Sequence, residues 1–172
     1  VDLTRRTIEA SGGPNISFKS EEHVPRVKAD TGMIAETVTN LLVNALAASR
    51  DDQPVRVQVG YDPAGTTVYI EVEDRGTGIP EDVLPQIWEP EFTMKRKGTG
   101  LGLALVRQVV RTHGGEVKAS NREDGGAEFL VRLPFGPMGS EVDSPPPNDR
   151  AHHDATEGGL EDQRPGAQVS AS

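Results

Sequence analysis

Four runs of β-type sequence fall into two pairs, each closed by a short turn, and this limits the chain to a sheet built largely of neighbouring antiparallel strands. "VRVQVGY" and "TVYIEVE" flank the turn "DPAG"; "GEVKAS" and "AEFLVRL" flank "NREDGG". Such a sheet has one apolar face that must be covered, and two segments have the helical period to cover it. In "TGMIAETVTNLLVNALAAS" the apolar residues at 34, 38, 41, 42, 45, 46 and 48 share one side, and Asp30 stands where an N-cap belongs. The second is "LALVRQVVRTHGG", which ends in a Gly pair. Leu3 to Ala10 reads as a short amphipathic helix, and "NISFKS" and "VPRVKA" read as short strands with Pro25 at an edge. The expected architecture is an α/β (α+β) two-layer sandwich, two helices packed on one face of a mainly antiparallel sheet.

A chain of 172 residues with 34% apolar content buries one core rather than two. From Gly136 the sequence turns rich in Pro, Gly, Ser and acid and nearly loses large apolar residues, so it cannot bury enough surface to offset ordering. We therefore read residues 1–135 as the folded domain and 136–172 as a disordered acidic tail. His152 and His153 in that tail read as solvated, not as metal ligands. The chain does not begin with Met, and we read it as a piece of a longer protein.

The formal charge of −9 argues against holding nucleic acid by the general surface, so any polyanion must be met locally. Lys95, Arg96 and Lys97 form the evident local exception. With no cysteine there is no disulfide, thiol chemistry or thiolate metal site. No apolar run reaches the ~18 residues of a membrane span.

That basic cluster opens "MKRKGTGLGLALV", residues 94–106, where Gly98, Gly100 and Gly102 alternate just before a helical run. Glycines so close together imply a sharp bend or a close approach by something. Helix N-termini present unpaired amides and the positive dipole end, which together suit phosphate. Neither common phosphate loop fits. A Walker A loop needs Lys and Ser or Thr after its last Gly, but Leu103 and Ala104 come after Gly102; a dinucleotide fingerprint starting at Gly98 needs Gly at 103.

Other polar groups converge on the same chemistry. Glu36, Asn40 and Asn44 fall at i, i+4 and i+8 of the first long helix, so they project from one face. An Asn carbonyl is a neutral hard oxygen suited to Mg²⁺ that shares its sphere with phosphates; it is equally at home on a solvated face. In "EDRGTGIP" a strand ends in Glu73 and Asp74 before Gly76, Gly78, Ile79 and Pro80 bend the chain. A carboxylate there is able to ligate a metal, cap a helix or accept from an exocyclic amine. Between the two glycine segments, "EDVLPQIWEPEFTMKRK" combines Trp88 and Phe92 with the cations, the composition of a hinged lid that brings Lys95 or Lys97 to a terminal phosphate.

In this order, Asn40/Asn44, Asp74-Gly76-Gly78, Trp88 to Phe92 and Gly98-Gly100-Gly102 resemble the N, G1, F and G2 boxes of the catalytic ATP-binding domain of sensor histidine kinases, of the GHKL or Bergerat fold. "THGGEVKAS" also resembles the segment after the family's last helix, and the resemblance spans roughly residues 1 to 134. It implies that Asp74 accepts the adenine amine with Gly76, Gly78 and Ile79 around it. It implies that Asn44 holds Mg²⁺, that Asn40 lies beside the phosphates, and that Gly98, Thr99, Gly100, Leu101 and Gly102 cradle them. Lys95 would meet the γ-phosphate. Two departures stand out: Glu91 occupies a position where the family usually has Phe, and Met94 replaces a Thr.

The resemblance further implies a cytoplasmic bacterial kinase fragment, or the cytoplasmic part of a membrane-anchored sensor, monomeric by itself within a dimeric parent. Its partners would be a phosphoacceptor histidine domain and, downstream, a response regulator receiver domain. Nucleic acid and membrane are not among them. GHKL hydrolases carry Glu four residues before the magnesium Asn; here that residue is Asn40, and an amide cannot take a proton from water. The acceptor histidine is expected outside this chain, because His23 lies in a strand-like context and His113 ends a helix, where it should cap. A GHKL ATPase, an anti-sigma-like serine kinase and a nucleotide-dead interaction module are the alternatives.

Overall fold

The structure, a computed structural model, describes residues 2–10, 15–49, 53–62, 64, 66–94 and 98–135. Lys95, Arg96 and Lys97 and the tail from residue 136, with its two histidines, lie outside the described residues. The elements run α1 (Asp2–Ala10), β1 (Ile16–Ser20), α2 (Thr31–Ala48), β2 (Val55–Asp62), β3 (Thr67–Glu73), α3 (Gly102–Thr112), β4 (Glu116–Asn121) and β5 (Ala127–Pro134). The strands form one sheet in the order β1-β2-β3-β5-β4. β1 and β2 are parallel, which requires a crossover, and α2 supplies it; the other pairs are antiparallel. The two expected hairpins are both present, and β5 rather than β4 lies beside β3.

Alternation explains the layers. Val55, Val57 and Val59 on β2 and Phe129, Val131 and Leu133 on β5 all face the helices and are buried. They meet Val38, Leu41 and Leu42 of α2 and Val106 and Val110 of α3, all fully buried. Fully burying one such side chain contributes about 1.5–3 kcal/mol, so this layer is the main source of stability.

Two expectations are corrected. Residues 24–29 form no strand. Val24, Val27 and Ala29 still pack against the core at every second or third position, which produces the strand-like pattern, but β1 pairs only with β2 and Pro25 has no N–H to offer. The helical layer also holds a third helix, because α1 packs against α2.

The helix ends are tied to each other. Asp30 caps α2 as expected, its Oδ1 accepting from the Met33 N–H at 2.9 Å. His113 caps α3 and reaches further. Its Nδ1 lies 2.8 Å from the Val109 carbonyl, and its Nε2 accepts the Asp30 N–H at 3.0 Å. With a contact at each ring nitrogen, the imidazole joins the start of α2 to the end of α3.

The opposite face of the sheet is charged. Glu73 and Glu128 are direct cross-strand partners, and Glu71 lies two residues from Glu73 on the same face. Arg122 pairs with Glu73, and Arg56 lies 3.8 Å from it. Glu71 is less well served: partial burial, then the charges of Glu128 and Glu73, raise its pKa. The native state therefore keeps the Glu71 proton to higher pH than the unfolded chain does. Stability falls as pH rises from the ordinary Glu range through this raised value and stays lower above it. Glu71→Gln should stabilise the fold by about 0.2–1 kcal/mol at neutral pH, with the gain vanishing in acid. Urea denaturation at both pH values checks this.

Candidate nucleotide-binding site

α2 runs between two chemically different groups of residues. Near its middle, the Asn40 side chain lies over the start of α3: a Cβ on Gly102 would stand 3.0 Å from Asn40 Oδ1. At its C-terminus, the turn after β3 packs against the Ala48 carbonyl through Gly76, where any side chain would collide with that carbonyl. From Asn40 to Ala48 the helix rises about 12 Å. A ligand lying along it must present different chemistry at each end.

The α3 end suits an anion. Leu101 is the N-cap residue and offers no side-chain hydrogen bond, and the first turn of α3 holds no acid. The N-cap side chain thus leaves the first amides of the helix uncapped at the positive end of its dipole. Leu101 is half exposed, Gly98 and Thr99 are exposed, and Gly100 has φ +69. Gly100 packs on the backbone of Glu91, which itself has φ +67, so the two ends of the lid segment meet here in left-handed conformations. The departure at Glu91 thus falls on a backbone turn, not on a side-chain pocket. Trp88 packs edge-to-face on Phe129 with ring centroids 6.1 Å apart, and Phe92 packs against the core, so both aromatics anchor the segment.

The other end suits a hydrogen-bond donor. Asp74 is only 2% exposed. Its Oδ1 accepts from the Gly76 N–H at 2.8 Å and the Ala127 N–H at 3.2 Å, and its own N–H donates to the Ala127 carbonyl at 2.9 Å. Among the described residues both side-chain bonds go to Oδ1, and Oδ2 accepts none there. Gly78 has φ +75, and Ile79 comes next with both backbone polar groups held by the Asn121 side chain.

Asn40, Gly102, Gly76 and Asp74 are therefore brought around α2, with Asn44 one turn beyond Asn40 and half-buried on the same side. Sequence reasoning treated "NREDGG" as a plain turn and missed Asn121, Arg122, Asp124 and Gly126, which grip the Asp74 loop from across the sheet. An Asn closing a strand just before a Gly-rich turn was the signal present. A hollow of about 270 Å³ lined by Lys19, Arg56, Glu71 and Glu73 lies on the opposite face and includes none of these residues.

A buried acid at a strand end, two amides on a helix face and an uncapped glycine-led helix define a nucleotide-binding α/β sandwich. The family model for "Histidine kinase-, DNA gyrase B-, and HSP90-like ATPase" matches residues 29–137, and the chain belongs to that family as a catalytic domain of the sensor histidine kinase type. It is 37% identical over 119 residues to the sensor histidine kinase ZraS of Escherichia coli O157:H7, covering 69% of this chain and 26% of that one. The chain thus spans about a quarter of the length of the curated relatives it matches. Among solved structures it resembles the catalytic domain of histidine kinase ThkA, with TM-score 0.67 and 31% identity over 80% of this chain and 93% of that one. Full-length ShkA in complex with AMPPNP gives TM-score 0.67 and 26% identity over 79% of this chain and 30% of that one. No helix among the described residues is long and apolar enough to cross a membrane.

Proposed function

We propose that this domain binds ATP along α2 and donates the γ-phosphoryl group to a histidine on a separate dimerisation and phosphoacceptor domain, from which it passes to a response regulator. The observation that carries the reading is the pairing of a buried acceptor, Asp74, at one end of α2 with the uncapped α3 start beside Asn40 at the other. In this reading Asp74 Oδ2 accepts the adenine amine, with Gly76, Gly78 and Ile79 shaping the base end. The amides from Gly98 to Gly102, with Thr99 and Leu101 among them, receive the phosphates. Asn40 and Asn44 offer neutral oxygens that fit Mg²⁺ shared with phosphate, and the ion would supply charge neutralisation at the transferring group. Lys95 would add a cation at the γ-phosphate. In this reading the acceptor histidine lies on the other domain, and the chain contributes positioning and electrostatics.

That ShkA was solved in complex with AMPPNP, and that the relatives are sensor kinases, supports this reading over the alternatives. Asn40 also lacks the basicity to activate water. His113 has both ring nitrogens engaged and its Nε2 lone pair turned to the Asp30 amide, which disfavours it as the nucleophile. With radiolabelled ATP, this domain alone should acquire no label and hydrolyse little nucleotide. Added phosphoacceptor domain should become labelled, and Asn44→Ala should slow that transfer by about 100-fold or more, the scale of losing one transition-state electrostatic contact. Label on His23 or His113, or rapid hydrolysis without an acceptor, would refute the assignment.

A further inference from the structure

We propose that Asn121 is a positioning residue for base recognition, setting the direction of Asp74 Oδ2 by clamping the loop that carries it; this rests on the nucleotide-binding reading above. Asp74 still bonds Ala127 of β5, but residues 75–80 leave the sheet and, among the described residues, have no strand to pair with. In its place, Asn121 at the end of β4 acts as a one-residue strand: its Oδ1 accepts the Ile79 N–H at 2.7 Å and its Nδ2 donates to the Ile79 carbonyl at 2.6 Å. An amide side chain carries a donor and an acceptor side by side, which match one residue's backbone N–H and C=O in this way.

The loop is shaped for that contact. Gly78 sits at φ +75, and a Cβ there would stand 2.8 Å from Asn121 Oδ1. The β4–β5 turn holds the other side of Asp74 as well. Arg75 pairs with Asp124 at 2.9 Å, and Arg122 donates to Asp124 at 2.8 and 3.1 Å while also pairing with Glu73. Asp74 Oδ1 is committed to the Gly76 and Ala127 amides, so the carboxylate rotates only as far as the loop allows. With Ile79 released, Gly76 and Gly78 become free hinges, and Oδ2 loses the fixed direction that separates an amine from a carbonyl on a purine. The effect is indirect, because Asn121 reaches Asp74 only through Ile79 and Gly78.

The test compares ATP with inosine triphosphate, which has a carbonyl where adenine has its amine, by displacement of a fluorescent ATP analogue. Wild type should prefer ATP. Asn121→Ala should weaken ATP about five- to tenfold, the scale of one or two lost hydrogen bonds, and leave inosine triphosphate nearly unchanged, so the preference narrows. Asn121→Asp keeps the acceptor but sets an oxygen against the Ile79 carbonyl, and should narrow it at least as much. Hydrogen exchange read by NMR should speed up at the Ile79 amide in Asn121→Ala while β3 amides stay protected. An unchanged ATP preference in both variants, with native circular dichroism, overturns the proposal even if Ile79 exchange rises, because the clamp would then be structural only. A wild type that binds ATP with no preference over inosine triphosphate shows that Asp74 does not read the amine, and defeats the base-recognition reading and this inference together. Binding of neither defeats the nucleotide assignment itself.

Discussion

Asp74→Asn is expected to lower ATP affinity by about 100-fold while leaving the domain folded, a loss on the scale of a charged hydrogen bond replaced by a repulsive one. The variant amide keeps an oxygen for the Gly76 and Ala127 N–H groups, the two bonds that hold the loop to β5. What changes is the other atom. Oδ2, the acceptor left for the ligand, becomes an NH₂ donor facing the adenine amine, so two donors meet in a site that is 2% exposed and has little water to separate them. Asp74→Ala should be worse in a second way, orphaning two amides at about 1–3 kcal/mol each, and should lower stability as well as binding. Titration calorimetry with Mg-ATP beside thermal denaturation separates these effects. Unimpaired binding by a folded Asp74→Asn protein would remove Asp74 from base recognition.

Gly126→Ala should cost about 3 kcal/mol or more and abolish nucleotide binding with it, although residue 126 touches no proposed ligand. Gly126 is buried in the β4–β5 turn at φ +91, and a Cβ there would overlap the Asp74 carbonyl and stand 2.8 Å from Arg75 Cα. Backbone cannot yield as a side-chain tip can, so β5 would have to part from the end of β3. Gly125 is the matched control: it has φ +92 but only the Gly76 carbonyl at 3.9 Å from its added Cβ. Gly125→Ala should therefore show the left-handed penalty alone, about 1–2 kcal/mol. Urea denaturation of both variants reads the difference, and equal losses would mean that close packing at Gly126 is not what the fold depends on.

The opposed outcomes expected for these neighbouring glycines indicate how far a sequence can be read. "NREDGG" shows a turn, and nothing in it distinguishes Gly126, pressed on Asp74, from Gly125, which is open. The same limit hid Asn121: its partner Ile79 is 42 residues away, and only the register of β4 on β5 and β5 on β3 brings them together. His113 was legible as a helix cap but not as the link to Asp30, 83 residues distant. "VPRVKA" misled because packing of alternate apolar residues and strand pairing leave the same local pattern.

By itself the sequence determined everything that depends on neighbours along the chain: the period of α2, its Asp30 cap, all five strands and the two hairpin turns, and the placing of Asn40, Asn44 and the glycines beside structured elements. Those features arise from backbone geometry and local hydrogen bonding, which span only a few residues. Tertiary structure alone decided that β5 inserts between β3 and β4, that Asp74 spends Oδ1 on the fold and keeps Oδ2, and which groups steady its loop. These rest on contacts between residues distant in sequence, and such contacts form only once burial of the shared core has brought the elements together.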